Sequence, residues 1–241
     1  MTSRVIKAEL AAGALAAGGL AWLLAASSDA SWLPPTVAVS VYGAIAWILI
    51  QALSGCSRFG WANRVTLLRA AITCALAGAL VDPSIFIEQA AMVLGLALTA
   101  LALDGVDGWL ARRAGESSAF GARFDMETDA MLILVLCAGL WLSGLAPAWV
   151  LAIGLMRPAF LAGSLTWPWL SKPLPDSYRR KLVCVVQVSV LPIALLPILT
   201  DPLRLTLLAV ALLALGASFA IDIAWLFRNR RAREHSEWRI S

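Results

Sequence analysis

The sequence predicts an all-α, polytopic membrane helix bundle, and three observations predict it. Of its 241 residues 61% are hydrophobic and 14% charged, with a mean hydropathy of +0.82, whereas a soluble domain carries about 25% charge. A soluble fold of this size could not hide so much apolar surface. The apolar residues fall into eight segments, each near the ~20 residues that span hydrocarbon. The basic residues gather on one side of those segments, as in membrane proteins of fixed orientation.

The segments run roughly over 8–27, 36–54, 64–81, 86–106, 126–144, 147–166, 182–199 and 204–227. Turn chemistry separates them: Ser27-Ser28-Asp29, Pro34-Pro35, Asp82-Pro83, Gly144 with Pro147, and Asp201-Pro202. The first two form an N-terminal hairpin (1–55), in which Gly13, Gly18 and Gly19 permit close helix contact. Residues 56–228 hold a six-helix core, and 229–241 form a basic tail. The first segment also fits a signal peptide, with Arg4 and Lys7 ahead of the apolar run and small residues from Ala25 to Ala30.

Sixteen Lys and Arg flank the segments on the side holding the N-terminus, against Arg204 alone on the other. Both termini and the loop after the fourth segment are therefore expected in the cytoplasm, with a bacterial inner membrane as the expected location. The net charge of +4 marks these flanks and does not signal nucleic acid. Tryptophans near segment ends, among them Trp32, Trp61, Trp149, Trp167 and Trp225, suit interfacial belts. The four cysteines have no metal-ligand spacing and read as packing. One histidine, His235, lies in the polar tail, which argues against zinc and against histidine catalysis.

Asp104 and Asp107 close the fourth segment, and Asp125 and Asp129 open the fifth. Residues three or four apart share a helix face, so each pair presents two carboxylates to one side. Four facing carboxylates repel unless cations lie between them. A donor set of carboxylates without His or Cys suits Mg²⁺ or Mn²⁺. Two such ions would neutralise the four charges formally, where a single Asp near a bilayer helix centre costs about 2.5–3.5 kcal/mol.

The full pattern is Asp104-x2-Asp107-Gly108-x2-Ala111-Arg112-x8-Gly121-x3-Asp125-x3-Asp129. At every fixed position it resembles the signature of the CDP-alcohol phosphotransferase family of membrane enzymes. Asn63-x2-Thr66-x2-Arg69 resembles that family's element at the start of its first core helix, although Ala62 stands where a proline is frequent. The resemblance implies transfer of a phosphatidyl group from a CDP-linked lipid, such as CDP-diacylglycerol, to an alcohol, with release of CMP, in phospholipid biosynthesis. It implies two metal ions on Asp104, Asp107 and Asp125, with Asp129 as general base on the acceptor and a possible ligand of the second ion. It implies a nucleotide site at Asn63, Thr66, Gly108, Ala111, Arg112 and Gly121, and a homodimer among membrane lipids.

A basic group completes the candidates. Arg157 interrupts an apolar segment, and Arg179-Arg180-Lys181 precede the next. Together they could bind a phosphorylated acceptor, such as glycerol 3-phosphate or inositol phosphate; alternatively 179–181 are a positive-inside signal. Arg69 and Asp222 each need a charge partner at membrane depth, and Glu127 and Gln187 are candidates for the same cavity. Two other readings compete: an intramembrane Mg-dependent prenyltransferase, whose two aspartate motifs should stand far apart in the chain, and a cation transporter, which would not need the glycines and arginine at fixed offsets.

Overall fold

The computed structural model describes residues 2–26, 32–52, 61–114, 119–172, 174–175 and 177–229. Among them are nine α-helices and no strand: α1 (Thr2–Leu24), α2 (Leu33–Ala52), α3 (Trp61–Ala79), α4 (Ile85–Glu88), α5 (Ala90–Ala114), α6 (Ala119–Leu142), α7 (Leu151–Thr166), α8 (Tyr178–Ala194) and α9 (Asp201–Arg228). The protein is an all-α membrane bundle. Eight helices coincide with the eight apolar segments, and α4 is a single turn split from the start of the fourth.

Helix and apolar run do not end together. The run of the fourth segment stops near 106, yet α5 continues to Ala114; that of the fifth starts near 126, yet α6 begins at Ala119. Charged and small residues propagate a helix as well as leucine does. The aspartates consequently sit inside helices, not at their junction with a loop.

Among the described residues four helices are long and apolar enough to cross a bilayer, through Ile6–Leu24, Leu33–Gln51, Ala148–Thr166 and Asp201–Arg228. The other four long helices fall short of that measure. Arg64 and Arg69 dilute α3, Arg123, Asp125, Glu127 and Asp129 dilute α6, the described apolar stretch of α5 is the shorter Ala90–Gly105, and α8 has 17 residues. Of these, α3 is the inner helix, with Thr66, Arg69 and Thr73 buried. Outward-facing Leu15, Ile48, Leu165, Leu182 and Leu213 supply the lipid-facing surface.

At the centre is α3, where seven consecutive side chains, Ala70 to Leu76, are buried. A helix buried on every side must be surrounded, and α3 packs against α1, α2, α5 and α6. Further along the bundle, Leu76, Phe86, Val93, Leu136, Leu140 and Leu191 form the apolar core. The turn closing α6 uses Gly144 at φ 76°, with Ala146 N–H donating to Leu140 O at 2.9 Å; a residue with a side chain rarely takes that conformation. Arg204, read from sequence as the lone cation of its side, is buried. It ties the α8–α9 turn, donating from Nε to Ala194 O (2.8 Å) and pairing with Asp201 (2.5 Å).

Close approaches set the helix spacing. A Cβ at Gly13 would stand 1.9 Å from the Tyr42 hydroxyl oxygen, so this glycine lets α1 accept the buried ring from α2. A Cβ at Gly154 would stand 2.7 Å from Leu134 Cα, which fixes α7 on α6 one turn before Arg157. Gly154→Ala is therefore expected to lower stability by about 1–3 kcal/mol through overpacking. Gly95→Ala, with open space around the new methyl, should be neutral or stabilising by up to about 1 kcal/mol. Thermal unfolding in detergent separates the two; equal losses would remove the packing argument.

Candidate metal and phosphate site

The acids reach one another because α3 packs against both α5 and α6. Asp104 comes from α5, and Asp125 and Asp129 stand one turn apart on the same face of α6. One carboxylate oxygen from each of the three lies within 4.8 Å of the others. Asp107 is one turn beyond Asp104 on α5, and its side chain lies outside the described residues, as do those of Gly108, Ala111 and Arg112.

Arg69 of α3 projects into this group. It is 1% exposed, and its guanidinium pairs with all three acids: Nη2 with Asp104 at 3.1 Å and with Asp129, and Nη1 with Asp125. The partner that an intramembrane arginine needs is thus three carboxylates. One positive charge leaves three acids with a net negative charge, and the acids remain 22–38% exposed, so a cation can reach them. The donor set is hard oxygen only, which fits Mg²⁺ or Mn²⁺. Two oxygens on one Mg²⁺ lie at most about 4.2 Å apart, from bond lengths near 2.1 Å, so a small rotation of the side chains would bring the three together on one ion.

The remaining candidates fall on two sides of this cluster. Thr66 is buried one turn before Arg69, and Asn63 is half-buried on the same helix. The helix has already begun at Trp61, so Asn63 lies in its first turn and is not its cap. Gly121, Asp125 and Asp129 succeed one another at four-residue steps along α6.

On the other side, α6, α7, α8 and α9 enclose a cavity of about 420 Å³. Asp129 lines it together with Arg157, Arg180 and Asp222, over walls that include Ile133, Ile153 and Leu215. Arg157 Nη2 meets Glu127 Oε1 at 3.0 Å. Arg180 donates to Pro175 O and stands 3.6 Å from Asp222. Arg179 turns instead to α9, donating to Ser218 O and Oγ at 2.6 Å each and to Asp222 at 2.5 Å. The side chain of Lys181 lies outside the described residues. Asp222 is thus the buried partner of an arginine. Gln187 lines this cavity and donates to Ala211 O at 2.6 Å, whereas Glu127 borders a different cavity. Cys74 and Cys137 are packed in the interior; Cys184 is exposed and lines the cavity beside Asp129, where sequence suggested only packing.

Carboxylates on crossed helices beside a cavity edged with arginines suit a metal-assisted reaction of a phosphate-bearing substrate. The family model for CDP-alcohol phosphatidyltransferase matches residues 59–221. The chain belongs to that family. It is 34% identical over 98 residues to a probable cardiolipin synthase (CMP-forming) of Drosophila melanogaster, covering 39% of this chain and 30% of that protein. It is 30% identical over 95 residues to putative cardiolipin synthases of Mycobacterium bovis and Mycobacterium tuberculosis, covering 38% of this chain and 46% of theirs. The chain thus spans less than half the length of these curated relatives. No solved structure matches it.

Removing Arg69 leaves the acids uncompensated, at a cost of about 3 kcal/mol, the low end for a buried pair because the acids are partly exposed. Arg69→Gln should therefore lower the unfolding temperature in EDTA, and Mn²⁺ should restore more of it than it adds to the unsubstituted protein. Two proteins equally indifferent to Mn²⁺ would count against a cation on these acids.

Proposed function

We propose that this chain is a membrane phosphatidyltransferase that moves a substituted phosphate from a CDP-linked lipid, CDP-diacylglycerol by preference, onto an alcohol and releases CMP. The observation that carries this reading is the position of Asp129, which belongs to the acid cluster and also lines the cavity edged by Arg157 and Arg180. One carboxylate thereby stands between the place for a diphosphate and the place for an acceptor.

In the reaction, the acceptor oxygen bonds to the phosphorus that carries the lipid, and the bond from that phosphorus to the CMP oxygen breaks. Asp129 takes the hydroxyl proton. Divalent ions held by Asp104, Asp107, Asp125 and Asp129 would, when bound, neutralise the diphosphate and the departing CMP. Asn63, Thr66, Gly108, Ala111 and Gly121 would leave room for and orient the nucleotide, and Arg112 would bind phosphate oxygens. Residues 56–228 would form this core and 1–55 an added hairpin, with the acids at the cytoplasmic face of a bacterial inner membrane.

Arg157 and Arg180 support an acceptor that itself carries phosphate, and Arg179 and Lys181, adjacent to Arg180 in sequence, would add to the positive charge there. The names of the relatives, CMP-forming or putative cardiolipin synthases, point to phosphoglycerol chemistry. Apolar walls below the arginines favour a phosphoglycerol attached to lipid over free glycerol 3-phosphate or inositol phosphate. Neither the family nor the relatives support a prenyltransferase or a transporter.

Incubation of the purified protein with labelled CDP-diacylglycerol, Mn²⁺ and a panel of acceptors tests the reading. CMP should appear only with a phosphoglycerol acceptor, and its failure to appear with any alcohol would overturn the assignment. Asp129→Asn should slow transfer by at least about 10²-fold, the scale of a lost general base, and leave CDP-lipid binding largely intact. Equal loss of both would remove Asp129 from the role of base. Arg157→Gln should raise KM for the phosphorylated acceptor about tenfold or more, the loss of one charge-assisted contact.

A further inference from the structure

The opposite face of α6 borders a second cavity, also of about 420 Å³, that the proposed reaction does not use. Its far wall is the end of α2, through Ile45, Ile48 and Leu49. That helix lies outside residues 59–221. Its near wall is an apolar stripe of α6, where Phe120 and Phe124 stack with ring centroids 6.4 Å apart. Arg123 and Glu127 complete the same stretch. Glu127 is committed to Arg157. Arg123 is exposed and, among the described residues, forms no ion pair. The cavity therefore joins apolar walls to an exposed arginine near the start of α6 that has no ion-pair partner among the described residues. Met131, at its inner end, is eight residues on, about 12 Å along the helix.

We propose that this cavity binds one anionic phospholipid of the bilayer, with an acyl chain between α2 and α6 and its phosphate on Arg123. The charge selects an anion, because basic pockets between membrane helices attract anionic headgroups. The walls select a hydrocarbon chain, and Ile48, 65% exposed, continues them onto the outer surface. This lipid is not a reactant. It joins the added hairpin to the helix that carries Asp125 and Asp129, which gives that hairpin a purpose in this protein. The inference does not depend on the reaction proposed above.

Phosphatidate is the suitable probe, since it carries neither an alcohol headgroup nor a nucleotide. The full chain in mixed micelles with EDTA is titrated with phosphatidate or phosphatidylcholine, and retained lipid is counted by native mass spectrometry. Phosphatidate should be retained about fivefold more tightly than phosphatidylcholine, the effect of one basic contact. Arg123→Gln should abolish that preference, and Ile45→Trp, which fills the cavity, should reduce retention of both lipids. No preference in the unsubstituted protein, or one that survives Arg123→Gln, would overturn the proposal. So would an Ile45→Trp protein that changes from dimer to monomer with lipid retention unaltered, because a second copy would then cover this face.

Discussion

The structure depends on holding several carboxylates together inside a helix bundle. Asp104, Asp125 and Asp129 approach within 4.8 Å, where like charges in a poorly solvated setting repel strongly. Arg69 makes that approach tolerable. It comes from the most enclosed helix, and its planar fork can address separate carboxylates with separate nitrogens, which a lysine could not do. The burial of α3 and the convergence of α5 and α6 therefore have a common electrostatic centre. Packing brings the charges together, and the charge pairing keeps a buried arginine beside the apolar run from Ala70 to Leu76.

From that centre α6 divides the molecule. One face carries Asp125 and Asp129 and borders the cavity of Arg157 and Arg180. The other carries Phe120, Phe124 and Met131 and borders the cavity closed by α2. The Glu127–Arg157 pair crosses from one side to the other. A change on either side of α6 thus acts on the position of the same two acids. The cations around the first cavity are also sorted: Asp222 and Ser218 occupy Arg179, which leaves Arg157 and Arg180 on the lining.

Much of this was legible from the chain alone. Apolar runs located all eight long helices, and the spacing of the aspartates located the cluster. Hydropathy misjudged the ends of α5 and α6, because it records where apolar residues stop and not where backbone hydrogen bonding stops. An inner helix such as α3 can carry arginines because neighbouring helices, and not lipid, surround it. Arg204 was counted as a flanking charge, yet it is buried as the tie of a turn, and a charge count cannot distinguish the two.

The sequence by itself determined the helical membrane class, the one-turn spacing within each pair of acids and their hard-oxygen chemistry, since these follow from composition and the 3.6-residue repeat. Only the tertiary structure decided that Arg69 is the countercharge of those acids, that Arg179 belongs to Asp222, and that Asp129 borders the same cavity as Arg157. Such pairings join residues up to 60 positions apart. No local periodicity encodes which helix lies beside which, so they appear only once packing has chosen the neighbours.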